Sequence, residues 1–145
     1  MAARLAMDIV ADRALVSAGE QQTVRDAAVL MLDHHCGSVA VLDEGGRLSG
    51  IFTESDLATR VVARGLDPDT TRIAEVMTRD PDRLGPEDSV ADAIRKMHEC
   101  GYQHLPMMKG DKPVAMLSWR DLPMDDLSVM QGELDERTSF TERMR

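Results

Sequence analysis

Two short segments of the sequence each place a hydroxyl three residues before a carboxylate, directly after a run of apolar residues. Thr53 and Asp56 follow a run that opens at Gly50, and Ser118 and Asp121 follow a second run. A strand that leads straight into a helix brings free backbone N–H groups and the positive end of the helix dipole to this point. Such a turn can hold an anion or a sugar-phosphate. The same spacing is also typical of a capping box, which satisfies its own helix end without a ligand. For a single copy both interpretations stay open.

The pattern belongs to a repeat that covers most of the chain. Thr53 and Ser118 lie 65 residues apart, and a second pair of such segments begins at Thr23 and Ser89, 66 residues apart. Each member of the second pair opens a stretch whose apolar residues recur at helical spacing, which predicts one buried helix face per copy. The matched apolar positions are Val24, Ala27, Ala28 and Met31 in the first copy and Val90, Ala93, Ile94 and Met97 in the second. Two copies at this period indicate duplication of one unit and not a solenoid.

Apolar runs and turn residues predict the same element order in both copies: strand, helix, strand, strand, helix. Gly37 is expected to end the first helix with a left-handed cap, and Gly65 to end the helix after Thr53. Pro123 is expected to interrupt the helix after Ser118, because proline removes a backbone donor. The predicted helices are 23–35 and 89–100; the predicted strands are 38–42, 48–52, 104–108 and 114–117, with shorter ones near 14–16 and 83–84; apolar lead-ins cover 6–10 and 73–77. The predicted divisions are residues 1–70 for the first repeat, 71–123 for the second and 124–145 for a partly helical tail.

The composition bounds the class of protein and its partners. Of the 145 residues, 43% are apolar and 30% are charged, as in an ordinary soluble globular domain. No stretch approaches the ~18 apolar residues of a membrane span. A formal net charge of -9 argues against a nucleic-acid backbone or an anionic membrane as partner, because both repel an acidic protein. Arg4 and Asp8 argue against a signal peptide, so a cytoplasmic location is expected.

Histidine and cysteine residues could suggest a metal site or a catalytic thiol. Adjacent His34 and His35 point about 100° apart on a helix, and no CxxC or HxxxH spacing occurs, so no metal is expected. Cys36 and Cys100 fall at positions that are not equivalent in the two copies, so no disulfide is expected. Both are predicted to be buried thiols. Neither thiol has a specific activating group nearby in the sequence. An enzyme therefore ranks below a binding module and a structural module.

The doubled order of these motifs resembles the CBS domain family, and the tandem pair resembles a Bateman module. The resemblance covers residues from about 6 to 122. It rests on the Gly-apolar-apolar-Thr-x-x-Asp segment at 50–56, its partner at 115–121, and the stretch 101–106 (Gly-Tyr-Gln-His-Leu-Pro). It implies an α+β fold of two β-α-β-β-α CBS repeats packed sheet to sheet about a pseudo-twofold axis, with two clefts between them. In that family the clefts bind adenosine-containing ligands. An adenine nucleotide, AMP or ATP, is the expected ligand, with NAD(H) and S-adenosylmethionine as alternatives.

The resemblance also implies roles for individual residues. The carboxylates of the two motifs would accept hydrogen bonds from ribose, and the motif hydroxyls would face phosphate. Gln103 and His104 fall where family members often place polar or basic groups toward phosphate, and the first-copy equivalents Gly37 and Ser38 offer less charge. The implied ligand-binding residues are Thr53, Asp56, Ser118, Asp121, Gly50, Ser38, Gln103 and His104. Because Ala115 replaces the motif glycine and Pro123 disturbs the next helix, the Asp56 site is expected to bind more tightly than the Asp121 site.

Two functions follow from these observations. The first is a regulatory module that senses an adenosine-containing nucleotide and acts through an effector protein that the sequence does not identify. The second is a structural dimerisation module whose motifs serve only as helix caps. A homodimer is expected, because two helices offer more apolar surface than a thin core covers. The apolar residues in question are Leu57, Ala58, Val61 and Val62 together with Met31 and Leu32.

Overall fold

The computed structural model describes residues 4–122, in which the main helices and strands follow the predicted order. The helices are α1 (Ala6–Val10), α2 (Val24–His34), α3 (Glu54–Asp56), α4 (Ile73–Val76) and α5 (Val90–Cys100), with a π-helix at Leu57–Val62 and a 3₁₀-helix at Trp119–Asp121. The strands are β1 (Ser17–Gly19), β2 (Ser38–Leu42), β3 (Leu48–Thr53), β4 (Thr78–Arg79), β5 (His104–Lys109) and β6 (Lys112–Ser118). The expectations for Pro123 and for the tail 124–145 lie outside the described residues.

The fold is a mixed α+β arrangement in which each repeat contributes an antiparallel hairpin. In the first repeat, β2 and β3 form the hairpin, β1 adds in parallel to β2, and β4 adds antiparallel to β3. In the second repeat, β5 and β6 form a two-stranded sheet. The strand expected near 83–84 is reduced to one parallel bridge between Leu84 and Met107. Strand β2 also contacts β6, so the two hairpins meet at the centre of the molecule.

The apolar lead-in of each repeat packs into the core of the other repeat. Ala6 and Val10 of α1 are buried among second-repeat side chains such as Leu84 and Leu117. Ile73 and Val76 of α4 are buried in the core of the first repeat. The backbone supports this exchange, since the Ala6 N–H donates to the Asp88 carbonyl at 3.0 Å and the Ile73 N–H donates to the Gln22 carbonyl at 2.8 Å. The two repeats are therefore interlocked, because each contributes its lead-in to the core of the other.

Three local expectations differ from the structure, and the first is the strand expected near 14–16, which begins only at Ser17 as β1. His35, and not Gly37, takes the left-handed conformation that ends α2, with φ 52°, so the prediction for Gly37 was wrong. Gly37 has a different need for its missing side chain, because a Cβ there would lie 2.8 Å from the Glu54 Oε1 atom. Cys100 is exposed and Cys36 half-buried, so the expectation of two buried thiols was also wrong. The helix after Thr53 was expected to stop near Gly65; it ends at Val62, and Gly65 has a left-handed φ of 69°.

The helix after Thr53 widens from its first turn into a π-helix. The Ala63 N–H bonds to the Ala58 carbonyl, five residues back, at 2.9 Å. Val61 is buried whereas the adjacent Val62 is 70% exposed. The four apolar residues predicted to lie on one side of this helix are therefore divided between the core and the surface.

Candidate functional site

Two clefts are lined by side chains from both repeats. The Asp56 cleft, of about 480 Å³, joins the first-repeat motif at Thr53 and Asp56 to residues 78–82 and 101–105. The Asp121 cleft, of about 930 Å³, joins the second-repeat motif at Ser118 and Asp121 to residues 34–38 and to the lead-in around Arg13. Both volumes fall within the roughly 300–1,000 Å³ of small-molecule sites. Each motif therefore faces the opposite repeat across a cleft of suitable size.

The Asp56 carboxylate is held by its own helix end. Its Oδ2 atom accepts from the Thr53 N–H at 3.0 Å, and the Thr53 hydroxyl accepts from the Asp56 N–H at 3.2 Å, which completes a capping box. The Oδ1 atom lies 3.4 Å from Nε of Arg60, whose Nη1 also donates to the Val76 and Met77 carbonyls. Only 11% of the Asp56 side chain is exposed. One carboxylate oxygen caps the helix, and the other is paired with arginine.

The two oxygens of the Asp121 carboxylate also have separate partners, and the arginine is a different one. Its Oδ2 atom accepts from the Ser118 N–H at 2.7 Å, which is the capping contact. Its Oδ1 atom lies 2.6 Å from Nη1 of Arg13, which comes from the opposite repeat and is 47% exposed. Only 13% of the Asp121 side chain is exposed, so the pair is partly buried. The cap uses Oδ2 alone. A ligand hydroxyl can therefore replace the Arg13 guanidinium at Oδ1 without loss of the cap.

The capping interpretation and the binding interpretation are thus compatible. All four Thr/Ser-x-x-Asp segments form capping boxes, including those of Asp26 and Asp92 on α2 and α5, which line neither of the two clefts. The capping bonds from the Ser89 N–H and hydroxyl lower the pKa of the Asp92 carboxyl. The distinction between the pairs is position, because only Asp56 and Asp121 also face a cleft. Asp26 and Asp92 therefore serve as internal references for a cap without a cleft.

Gln103, His104 and Glu54 line both clefts and form the wall between them. His104 opens β5 and pairs with Ser118, just as Ser38 opens β2 and pairs with Thr53. The Glu54 N–H donates to the Gly37 carbonyl at 3.0 Å and the Trp119 N–H donates to the Gln103 carbonyl at 2.9 Å. The first backbone N–H of each of these two helices is therefore already hydrogen-bonded to a backbone carbonyl. A bound anion would therefore be held mainly by side chains, and less by the backbone N–H groups of a helix start.

The two clefts differ in the charges that line them. The Asp121 cleft carries Arg13 and Arg120 against Glu54 and Asp121, with three histidines, His34, His35 and His104. The Asp56 cleft carries Glu54, Asp56, Asp80 and Asp82 against Arg79, whose Nη2 atom donates to the Ala74 carbonyl. Burial lowers the pKa of His104, which outweighs the opposing effect of Glu54 and Asp121, so the imidazole is neutral at pH 7. The Asp121 cleft is the less acidic of the two.

The remaining predicted residues have varied positions. Ser38 is buried and lines the Asp121 cleft. Gly50 is buried and lines neither cleft; a Cβ there would lie 2.6 Å from the Thr78 carbonyl oxygen and 2.7 Å from Met77 Sδ. Ala115 is likewise buried outside both clefts, paired with Met107 in the sheet. The methyl group of Ala115 therefore gives no reason for weaker binding in the Asp121 cleft, contrary to the expectation from the sequence.

Each cleft contains one polar aromatic side chain. Trp119 lines the Asp121 cleft and Tyr102 lines the Asp56 cleft, and they are the single tryptophan and single tyrosine of the chain. The Tyr102 hydroxyl donates to Asp82 Oδ2 at 2.7 Å, and this bond raises the pKa of Tyr102 to about 12. The two rings offer surfaces for a base and act as separate optical reporters for the clefts.

Several lining residues were missed by sequence reasoning. Arg13 lies in a lead-in with no motif, and only the fold brings it across to Asp121. Glu54 and Trp119 directly follow the motif hydroxyls, so their adjacency was a usable signal. Within residues 4–122, no group of three or more His, Cys, Asp or Glu side chains could hold a metal ion. In the same range no helix has the length and apolar character needed to cross a membrane.

The chain belongs to the CBS domain family, whose model matches residues 6–63 and 73–122. It is a tandem CBS pair, which is a regulatory module, and the match indicates no catalytic family. The CBS domain-containing protein YhcV of Bacillus subtilis is 32% identical over 107 residues, covering 74% of this chain and 75% of that protein. The chain spans less than a quarter of the length of the Arabidopsis thaliana CBS domain-containing proteins CBSCBSPB2 and CBSCBSPB3, to which it is 34% and 35% identical.

Solved structures share the fold. A CBS domain protein from Pyrobaculum aerophilum, solved in complex with AMP, has a TM-score of 0.77 and 24% identity, covering 88% of this chain and 96% of that one. Hypoxic Response Protein I, solved with two coordinated zinc ions, has a TM-score of 0.72 and 25% identity, covering 81% and 94%. The architecture predicted from the repeat, two CBS repeats in an α+β fold, is confirmed.

Proposed function

We propose that the chain is a regulatory module that binds an adenosine-containing mononucleotide in the Asp121 cleft and signals to an effector protein. The observation that carries this proposal is the Arg13–Asp121 pair, which places a displaceable cation on the free carboxylate oxygen. The cleft is large enough for a nucleotide, and its arginines Arg13 and Arg120 offset its acidic groups. The structure solved with AMP is related in fold alone, so the assignment rests on these side chains.

Binding would exchange one partner of Asp121 for another. The ribose hydroxyls donate to Asp121 Oδ1, and the released guanidinium of Arg13 turns to the phosphate. Charge-assisted hydrogen bonds of this kind contribute roughly 1.5–3 kcal/mol each. Arg120 adds a second cation, and the Trp119 ring offers a surface for the base. The ligand therefore gains contacts that the empty cleft lacks.

The charges of the two clefts reverse the order of affinity expected from the sequence. In the Asp56 cleft, Asp80 and Asp82 add two acidic groups to the lining, and Arg79 is held at a backbone carbonyl. We expect AMP to prefer the Asp121 cleft, and ATP to gain less from the Asp56 cleft than from the Asp121 cleft. NAD(H) and S-adenosylmethionine stay as alternative ligands, the latter favoured by the acidic cleft because it carries positive charge.

The interlocked lead-ins give a route from ligand to partner. Arg13 lies three residues after α1, and α1 is packed in the second-repeat core. A ligand that moves Arg13 acts on the connection between α1 and β1, and through it on both repeats. The module has no catalytic role in this proposal. We further propose a homodimer, supported by the apolar side chains of Leu32 and Val62, which are 71% and 70% exposed.

A structural dimerisation module is the alternative, and the completed capping boxes of all four motifs favour it. A thermal-unfolding panel with AMP, ATP, NADH and S-adenosylmethionine separates the two functions. A ligand present at about 100 times its Kd adds roughly 2.7 kcal/mol of stability. The sensor proposal expects a clear rise in Tm with at least one of these ligands and a change in Trp119 fluorescence with AMP. Unchanged Tm values with all four would favour the structural module.

A further inference from the structure

The partition between the two clefts is only a few side chains thick. Glu54 and His104 both line both clefts, so a ligand in either cleft contacts the same carboxylate and the same imidazole. The two residues of this partition come from different repeats. Glu54 lies at the start of the helix after β3 in the first repeat, and His104 lies at the start of β5 in the second. Neither cleft can change its inner wall independently of the other.

The backbone of Gly37 fixes where the two groups meet. A Cβ built on Gly37 would lie 2.8 Å from Glu54 Oε1 and 3.3 Å from His104 Nε2. Any larger residue at position 37 would push the carboxylate or the ring out of the wall. The Glu54 N–H also donates to the Gly37 carbonyl, which holds the start of this helix against the same point. The wall therefore holds an exposed carboxylate and a half-buried imidazole close to the same point.

This wall has one group that suits a phosphate and one that opposes it. His104 Nε2 can serve a phosphate in one cleft at a time, whereas the Glu54 carboxylate repels phosphate in both. The charged groups that act on His104 are Glu54 and Asp121, which favour its protonated form, and Arg120, which opposes it. A phosphate in one cleft adds negative charge to a wall that already carries one. The next phosphate on the other side meets a larger repulsion.

We propose that the two clefts compete for phosphorylated ligands across the Glu54–His104 wall, so that each chain holds one nucleotide tightly and a second only weakly. This inference rests on the proposed function, because it requires that nucleotides bind in the clefts. Coupling between sites is reciprocal and commonly amounts to about 5–150-fold in affinity. Adenosine, which lacks the phosphate, escapes most of the repulsion. A phosphate-free nucleoside can therefore occupy the second cleft beside a bound nucleotide.

The test is calorimetric titration of the full chain with AMP, and separately with adenosine, while Trp119 fluorescence is followed. The expected result for AMP is one tight site per chain and a second site at least about tenfold weaker. The two adenosine sites should differ less. Glu54→Gln removes the charge that both clefts share and keeps the size of the side chain, so it should raise the AMP affinity of both sites. Glu44→Gln, in the exposed hairpin turn, is the matched control and should leave both affinities unchanged.

Asp121→Ala distinguishes competition from a cleft that never binds. If the clefts compete, AMP binds the Asp56 cleft of this variant more tightly than it binds the second site of the unaltered protein, because no phosphate is held across the wall, and Trp119 fluorescence no longer responds. An Asp56-cleft affinity equal to that of the second site would mean that the clefts are independent and would overturn the competition. Loss of all binding heat in Asp121→Ala would contradict the competition. Two equal, independent AMP sites in the unaltered protein would overturn the competition and leave the proposed function intact. Absence of any AMP binding to the unaltered protein would overturn both.

Discussion

Arg13 Nη1 lies 2.6 Å from Asp121 Oδ1, which joins the lead-in of the first repeat to the helix start of the second. The other oxygen of the same carboxylate accepts the capping bond from the Ser118 N–H. The Asp121 side chain therefore caps its own helix and also contacts the first repeat through Arg13. A ligand that binds Asp121 must displace Arg13, and this exchange is the central event of the proposed mechanism.

Replacement of Arg13 by glutamine tests this exchange with two ligands. The variant frees Asp121 Oδ1 but removes a cation from the phosphate, so AMP affinity should fall at least about tenfold, in line with roughly 1.5–3 kcal/mol for one charge-assisted hydrogen bond. Adenosine affinity should stay the same or rise. Calorimetry with both ligands gives the comparison. Arg25→Gln, on an exposed pair with Asp69 outside both clefts, is the control. Equal losses for AMP and adenosine would contradict a phosphate role for Arg13.

Much of the fold could be predicted because local patterns decide it. The capping boxes at Thr23 and Ser89 and the periodic apolar residues after them determined α2 and α5 within one or two residues. The exchange of α1 and α4 between cores was not predictable, because both repeats carry equivalent lead-ins and the choice between them depends on tertiary packing. The same reason hid Arg13, whose partner Asp121 is more than 100 residues away.

The motif glycine illustrates how a correct motif can have a different physical reason. Gly50 was expected to give a ligand room, but its Cα faces Thr78 and Met77 across the β3–β4 pair. Gly50→Ala should therefore lower the free energy of unfolding by about 1–3 kcal/mol, as overpacking does. Urea unfolding measures the change. Gly19→Ala, where the nearest atom is 3.8 Å from the new Cβ, should change stability little. Unchanged stability of Gly50→Ala would contradict this prediction and would mean that β4 can shift away from the new methyl group.

His104 predicts a pH dependence of stability. Burial lowers the pKa of this imidazole below its ordinary value of 6.5, so the folded protein resists a proton that the unfolded chain accepts. The contribution is fully present above about pH 6.5 and is lost as the pH falls toward the lowered pKa. Denaturant unfolding between about pH 7.5 and 5 should therefore show a smaller loss of stability in His104→Gln than in the unaltered protein. Parallel pH profiles for the two proteins would contradict this prediction.

The proposed homodimer depends on two exposed apolar residues, Val62 outside both clefts and Leu32, which also lines the Asp121 cleft. Leu32 and Val62 are each about 70% exposed, and contact with a second copy of the chain would cover this apolar surface. Sedimentation at micromolar concentration should show twice the 16.0 kDa mass of the chain, and Val62→Asp should shift it toward the monomer. Gln21→Asp, an exposed position of equal added charge, is the control and should keep the dimer. A single 16.0 kDa species for the unaltered protein would rule the dimer out.

The most direct test of the central claim compares two aspartates whose carboxylates each accept a hydrogen bond from the N–H of the capping serine. Asp121 and Asp92 each complete a capping box, but only Asp121 faces a cleft. Replacement of either by alanine should cost about 0.5–2 kcal/mol of stability. AMP affinity, measured by calorimetry on the folded variants, should fall at least about tenfold in Asp121→Ala and stay unchanged in Asp92→Ala. Equal AMP affinity in both variants and the unaltered protein would contradict the role of Asp121 in ligand binding.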